Sequence, residues 1–566
     1  MPKWALVQPT SGPRRAALLH YEPVRTLADT VPHPHRTLAG ELLRWSAHAF
    51  RPDWKYTPEQ VRILARWYEL RDDAVPEDPN DPETWGRAFR YESGTLRRLK
   101  GWGKDPKMAS VAAMEFVGPC RLVGFRADGS PIGGPPQEAW VQIFATAAGQ
   151  NVNTMSALAT IFSPAAIDRY AIKLGQEVCY ASQSDTDGRQ CRLEAKASSF
   201  RAAEGGRPSF ALMNETWHWV EGNHGPRLAA TIRPNATKVG GRTMEITNAP
   251  VIGEESVAEG TWYAFEKQRD GVNRDAGIYY DSVEAPPGVD LADEDQLRAA
   301  ILCARGDSVW INPDRVMRDI WSASTSEDES RRKYLNQLSS HDDALVDRDT
   351  WDLATVEPAD GIRPGERIVL SFDGGKTDDS TGLMAMRVRD KLVQKLALWE
   401  KPDGPAGKNW EVDGQEVNDM VGHVFQKYTV VAFFADVAGW ESYVADWSEK
   451  YGKHLLIKAS GKSTVGFDMR ANQREITTEH MALVGAIETV ALPHVRDYSL
   501  TRHTMNARKR PNQYGFSFGK ESRESKLKVD LYAAMVLAWI AHRRLTESGK
   551  LKPPKQPGTL QTRGGF

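Results

Sequence analysis

The run Arg97-Arg98-Leu99-Lys100-Gly101-Trp102-Gly103-Lys104-Asp105-Pro106 places two glycines and a lysine where a loop should turn into a helix. Met108, Val111, Ala112 and Met114 then give that helix an apolar face. A Gly-Lys pair at a helix start offers a triphosphate backbone N–H groups, the positive end of a helix dipole and an ammonium for the outer phosphates. The full pattern has Ser or Thr after the lysine to ligate Mg²⁺, and here that position holds Asp105. A basic loop entering an ordinary helix fits the same residues, so the elements further along the chain must separate the two readings.

A second set of residues is purely acidic. Asp373 closes an apolar strand over 367–375, Asp378 and Asp379 come next in a loop, and 381–387 reads as the returning hairpin strand. The buried-looking run 430–436 delivers Asp436 at its tip, and Asp530 sits in the first turn of a long apolar helix. These three carboxylates converge if the two strands are neighbours. Oxygen donors alone suit hard cations, so Mg²⁺ or Mn²⁺ fits better than zinc. Two such ions about 4 Å apart activate water and stabilise the leaving oxygen of a phosphodiester. Aspartates at strand ends also cap turns; the order of all three favours metal, with Asp379 as an additional ligand.

The elements that must position these groups alternate. Thr57-Pro58-Glu59-Gln60 is a helix start, with Thr as N-cap and Pro at the first helical position. Residues 85–91 have the alternation of a strand leading into the loop. A strand over 140–145 precedes a helix over 152–162; strands over 209–215 and 242–248 end in Asn214-Glu215 and Thr247-Asn248. Such alternation, with chemistry at the C-terminal ends, describes an open α/β sheet with a ligand at the strand tips. Helices over 296–303 and 315–321 close this part. The proline-bearing break 357–365 marks a boundary. The expected organisation is a partly irregular arm (1–50), a nucleotide-binding domain with linker (51–357), a second α/β domain (363–546) and a flexible tail (547–566).

At 566 residues the chain exceeds one core. Hydrophobic content of 40% and charged content of 26% describe an ordinary globular protein. A net charge of -2 gives no global attraction to nucleic acid, so DNA contact must come from local clusters. Arg87, Arg90, Arg97, Arg98, Lys104 and Lys107 surround the loop; Arg502, Arg508, Lys509 and Arg510 are the better candidates for a duplex backbone. Cys120, Cys179, Cys191 and Cys303 are scattered, as reduced structural thiols would be. No apolar run approaches the ~20 residues of a membrane helix, and the N-terminus lacks a signal-peptide core. A soluble protein of a reducing compartment is expected.

A phosphate-loop ATPase followed by a carboxylate nuclease of the ribonuclease H type resembles the large subunit of a tailed-bacteriophage terminase, over roughly residues 57–545. The resemblance implies a P-loop ATPase domain with an open, mainly parallel sheet, then an RNase H-like α/β nuclease domain. Gln60 falls where that family reads adenine; Lys100, Gly101, Gly103 and Lys104 match the phosphate loop. Asn214-Glu215 occupy the second nucleotide motif with Glu215 as water-orienting base, and Thr247-Asn248 resemble the coupling motif. Asp373, Asp436 and Asp530 match the nuclease metal ligands, with Asp379 added, while His503 and Asn506 resemble a segment beside that site. Asp105 replaces a hydroxyl residue and Asn214 replaces an acid, so Asp105 could supply the carboxylate that Asn214 cannot; the opposing reading is a weakened ATP site.

The implied cofactors are ATP and Mg²⁺ or Mn²⁺, with two ions in the nuclease site. The implied partners are double-stranded DNA, a small terminase subunit and the portal protein of the procapsid, the chain forming a homo-oligomeric ring when docked in the host cell cytoplasm and absent from the mature virion. Two rivals stay open: a helicase- or repair-type ATPase-nuclease, and a DNA-binding assembly subunit whose ATP site is weakened.

Overall fold

The computed structural model describes residues 4–6, 19–136, 138–182, 190–197, 203–269, 276–322, 325–340, 345–375, 380–401, 409–520 and 527–551. The chain divides into two compact units, Met1–His341 and Asp342–Phe566.

The first unit is built on an eight-stranded sheet in the order Val24–Arg25, Ile278–Glu284, Ser93–Arg97, Arg242–Thr247, Phe210–Asn214, Trp140–Ala145, Gln190–Ala197, Val178–Ser182. The two edge strands run antiparallel to their neighbours and every pairing between them is parallel. Parallel strands are covered on both faces, which is why Phe210–Asn214 and Arg242–Thr247 are buried throughout. Parallel pairing also puts the C-terminal ends of the central strands on one edge of the sheet.

Three local expectations differ from the structure. The strand entering the phosphate loop is Ser93–Arg97, not 85–91. Gly86 takes φ +70° against Gly240, where a Cβ would lie 2.5 Å from the Gly240 carbonyl oxygen, so the chain turns there instead of extending. The arm contains a regular helix, Ala39–Ala49, whose Leu42 and Ala49 join the core with Leu38 and Phe50. The strand Ile278–Glu284, beside Ser93–Arg97, is absent from the sequence-based expectation, because Asp281 and Ser282 interrupt its apolar pattern.

The second unit holds a seven-stranded sheet ordered Thr355–Val356, His494–Val495, Val393–Trp399, Thr381–Arg387, Arg367–Gly374, Thr429–Asp436, Gly466–Phe467. Arg367–Gly374, Thr381–Arg387 and Val393–Trp399 form an antiparallel meander, and Thr429–Asp436 then adds in parallel on the other side of Arg367–Gly374. This is the RNase H-like arrangement. The helix Asp530–Glu547 lies across the meander: the Ser371 hydroxyl donates to the Ala534 carbonyl at 2.7 Å, and Gly382 leaves room for Leu531, which a Cβ would approach to 2.7 Å. The second unit begins before the proline break, since Thr355 and Val356 pair with His494 and Val495 and Trp351 stacks on His494 at 3.7 Å.

One buried charge network holds the base of the first sheet. Glu115 is fully buried and accepts from Arg121 at 2.7 Å, Arg242 at 3.0 Å and the Tyr68 hydroxyl at 2.9 Å. Burial pushes its carboxyl up, but the two guanidiniums outweigh that and leave it below the ordinary value of 4.5. A carboxyl lowered on folding stabilises fully above its unfolded pKa, and that contribution fades as pH falls through the folded value. Glu115→Gln should therefore cost about 3 kcal/mol at neutral pH by stranding two buried arginines. Thermal melting at several pH values checks this: the gap between wild type and variant should close below pH 4.5, and a gap unchanged by pH would contradict it.

Candidate functional site

At the tip of Ser93–Arg97 the chain turns through Gly101 and Gly103, both left-handed at φ +86° and +94°, and enters the helix Lys104–Val117. A side chain at Gly103 would also press on Trp310, 3.3 Å from the ideal Cβ. Lys100 is exposed, and its N–H donates to the Lys333 carbonyl at 2.7 Å. Lys104 is buried. Its ammonium donates to Asn248 Oδ1 and to the Arg98 and Leu99 carbonyls at 3.3 and 3.5 Å, and stands 3.9 Å from Glu215 Oε1. Burial lowers its pKa, and the charges of Glu215 and Asp105 act against that shift.

Asn214, Glu215, Thr247 and Asn248 reach this lysine because their strands are sheet neighbours and parallel, with Asn214 in register with Ile246. Glu215 leaves its strand in a left-handed conformation, φ 52° and ψ 53°, a strained backbone for a non-glycine residue. Its Oε2 accepts from the Trp217 indole at 2.7 Å. The Trp217 N–H donates to Thr247 Oγ1 at 3.1 Å, and that hydroxyl donates to the Asn248 carbonyl at 2.8 Å.

Asp105 and Asn214, the two departures from the phosphate-loop pattern, meet. Asn214 Nδ2 donates to the Gln150 carbonyl at 2.8 Å and lies 3.5 Å from Asp105 Oδ1, which accepts from the Thr154 hydroxyl at 3.0 Å. At this contact the carboxylate is carried by the helix and the strand tip carries the amide. The Gln60 side-chain oxygen accepts the Thr57 N–H at 3.3 Å, closing a capping box on its own helix.

Arg97 and Arg98 do not face this pocket. Arg97 pairs with Glu284, while Arg98 binds Asp281 at 2.5 Å and Glu59 at 2.9 Å. Lys107 is buried over the Tyr56 ring, 4.5 Å from its centroid. These three charges are held inside the unit, and Lys104 is the buried lysine that reaches the strand tips.

In the second unit, Phe372 and Ala435 are Cα partners on parallel strands, so Asp373 and Asp436 follow one another off adjacent tips. Gly374 makes room there for Trp440, whose indole nitrogen a Cβ would meet at 2.6 Å. Burial raises the Asp436 carboxyl, the Asp468 charge adds to that, and the Met469 N–H, donating at 3.1 Å, works against it. Asp530 Oδ2 accepts the Ser380 N–H at 3.3 Å, which brings the helix start to the hairpin.

Two residues fix that helix start. The buried His503 accepts the Leu531 N–H on Nδ1 at 3.0 Å, so its proton is on Nε2, which donates to Glu400 Oε1 at 3.0 Å. Asn506 donates to the Lys528 carbonyl at 3.0 Å. Burial holds His503 below its ordinary pKa, despite the Glu400 charge. Glu400, which also accepts from Ser380 and Arg502, is missing from the sequence-based candidates; its position one residue past the strand Val393–Trp399 was the available signal. Arg508 is buried against the Met505 carbonyl, leaving Lys509 exposed on a short hairpin. Asp378 and Asp379 lie outside the described residues.

As a donor set, Asp373, Asp436 and Asp530 fit Mg²⁺ or Mn²⁺ in kind, all oxygen and on neighbouring elements. Among the described residues, no group of three or more histidine, cysteine, aspartate or glutamate side chains is close enough together to hold a metal. Nor is any helix among them long and apolar enough to cross a membrane.

No family model matches the sequence. The gene 13 proteins of mycobacteriophages L5 and D29 are 33% and 32% identical to it over 527 residues, covering 88% of this chain and 85% of each relative. The chain belongs to the family of these mycobacteriophage gene 13 proteins. Among solved structures, the large terminase of bacteriophage HK97 aligns with 89% of this chain and 100% of its own, at 15% identity and a TM-score of 0.41.

The contact between Asp105 and Asn214 can be tested by exchanging their charges. Asn214→Asp sets two carboxylates about 3.5 Å apart and Asp105→Ser removes the one at this contact, so if the pocket hydrolyses ATP each should lower turnover about tenfold, ~1.4 kcal/mol. The double variant should return to within about threefold of wild type. Independent gains in both single variants would rule the compensation out.

Proposed function

We propose that this protein is the large subunit of a phage terminase, an ATP-driven DNA-translocating enzyme that also cuts the concatemeric genome. One observation carries the reading: Lys104, at the mouth of a glycine turn, faces Asn248 and Glu215 from neighbouring parallel strand tips. That is the arrangement a nucleoside triphosphate needs, with backbone N–H groups at the helix start and an ammonium behind them. The acidic strand tips of the second unit and the sequence resemblance extend it to a nuclease.

In the first unit, Lys104 binds the outer phosphates, exchanging the Asn248 and loop-carbonyl contacts for phosphate oxygens. Glu215 orients the attacking water and takes its proton. Asp105 presents its carboxylate to the cation side of the nucleotide. Thr247 and Asn248, linked to Trp217 and Lys104 respectively, relay occupancy of the site.

In the second unit, Asp373, Asp436 and Asp530, with Asp379, are the residues that would hold divalent ions, although the described ones do not by themselves form a three-ligand cluster. Such ions would supply an activated water and stabilisation of the leaving oxygen of a phosphodiester. His503 and Asn506 hold the first turn of the Asp530 helix by its backbone. Lys509 and its neighbours on the hairpin offer the DNA backbone a sequence-tolerant, salt-sensitive contact. The proposed partners are double-stranded DNA, a small terminase subunit and a portal, with the chain acting as a ring in the host cytoplasm.

The test pairs two assays on the full chain. Plasmid cleavage with Mg²⁺ or Mn²⁺ should be lost in EDTA and in Asp373→Ala, while that variant keeps its ATP turnover. Glu215→Gln should lower ATP turnover by about 10²-fold or more and keep the cleavage. Absence of both activities from wild type, or a loss of both in either variant, would contradict the assignment of two separate chemistries.

A further inference from the structure

Glu215 does not stand alone at its strand tip. Its Oε2 is bound by the Trp217 indole N–H at 2.7 Å, in addition to the Lys104 ammonium 3.9 Å from Oε1. Trp217 is fixed in turn on two sides. Its backbone N–H donates to Thr247 Oγ1 at 3.1 Å, and its ring face carries the Arg332 guanidinium 4.0 Å from the centroid.

Arg332 is an unusual place to keep a charge. It is only 6% exposed, and its Nη1 has no hydrogen-bond partner among the described residues. A buried guanidinium ordinarily binds a carboxylate directly, as Arg98 binds Glu59 and Asp281 in the same unit. Arg332 instead faces an indole, with the charges of Glu254, Glu329 and Glu215 acting on it through space. It lies on the short helix Glu327–Tyr334, whose next residue, Lys333, accepts the Lys100 N–H of the phosphate loop at 2.7 Å. One helix therefore grips the phosphate loop by its backbone and the water-orienting glutamate through a tryptophan.

We propose that Trp217 and Arg332 are positioning residues for ATP hydrolysis: the indole N–H aims the Glu215 carboxylate, and the stacked guanidinium holds the indole where it can do so. The inference rests on the terminase reading of Glu215. Neither residue touches the nucleotide in this scheme. The pair also ties the helix Glu327–Tyr334 to the timing of hydrolysis, since a shift of Lys333 with the phosphate loop carries Arg332 with it.

The experiment measures kcat and KM for ATP alongside binding of a fluorescent ATP analogue, in the full chain. Trp217→Phe keeps an aromatic face and removes the indole N–H together with the five-membered ring; Arg332→Gln removes the cation, and Arg332→Lys keeps a cation able to stack on the ring. Trp217→Phe and Arg332→Gln should lower kcat about 10- to 100-fold with KM and analogue affinity within about threefold of wild type. The Trp217→Phe/Arg332→Gln double variant should be no slower than the worse single one, and Arg332→Lys should recover most of the rate. A rise in KM with loss of analogue binding would make Arg332 a nucleotide contact and overturn the proposal, as would additive losses in the double variant. Wild-type rates in both single variants would also overturn it. Wild type that neither binds the analogue nor turns over ATP would instead sink the underlying functional reading.

Discussion

The first unit depends on what happens to a buried ammonium. Lys104 enters a protein interior at the start of a helix, where burial and the positive helix end both oppose its charge. It is tolerated because two loop carbonyls, Asn248 and the more distant Glu215 surround it. Those partners come from three chain segments, and only a parallel sheet with Ser93–Arg97, Arg242–Thr247 and Phe210–Asn214 side by side delivers them to one point. The strand order is thus a condition for keeping the lysine, and the lysine is poised to exchange its neighbours for a more highly charged partner.

The second unit poses the opposite problem, since the chemistry proposed for it needs carboxylates brought near each other. Asp373 and Asp436 ride on strands whose pairing is fixed by buried residues on both sides. Asp530 rides on a helix, and the sheet alone does not set a helix's first turn. Backbone contacts from His503 and Asn506 supply that constraint. His503 accepts an N–H, so it must stay neutral, and burial keeps it so against the pull of Glu400. Glu400 links that histidine to Ser380 at the hairpin, whose N–H meets Asp530.

Much of this is legible in the sequence where apolar runs end in a polar residue. The phosphate-loop helix, the strands ending at Asn214, Thr247 and Asp436, and the helix opening at Asp530 all follow that rule. Arg97 and Arg98 mislead for a connected reason. Their acid partners Glu284 and Asp281 belong to the strand Ile278–Glu284, which its own polar residues conceal. Without that strand, two arginines beside a phosphate loop look like phosphate ligands. Trp217, Arg332, Glu400 and the backbone roles of His503 and Asn506 depend on contacts between distant segments, and local pattern carries no trace of them. Gln60 shows the converse case: its capping role is written in Thr57-Pro58-Glu59-Gln60, and the structure has its side chain there.

If Lys104 and the strand tips around it form a nucleotide site, ATP must bind there and must lose affinity when the ammonium is removed. Titration calorimetry of ATP with Mg²⁺ into wild type and Lys104→Ala decides the matter, with circular dichroism to verify that the variant is folded. One ATP bound per chain, with affinity lowered by at least about 100-fold in folded Lys104→Ala, is the predicted result. Undetectable binding to wild type, or equal affinity in the variant, would contradict it.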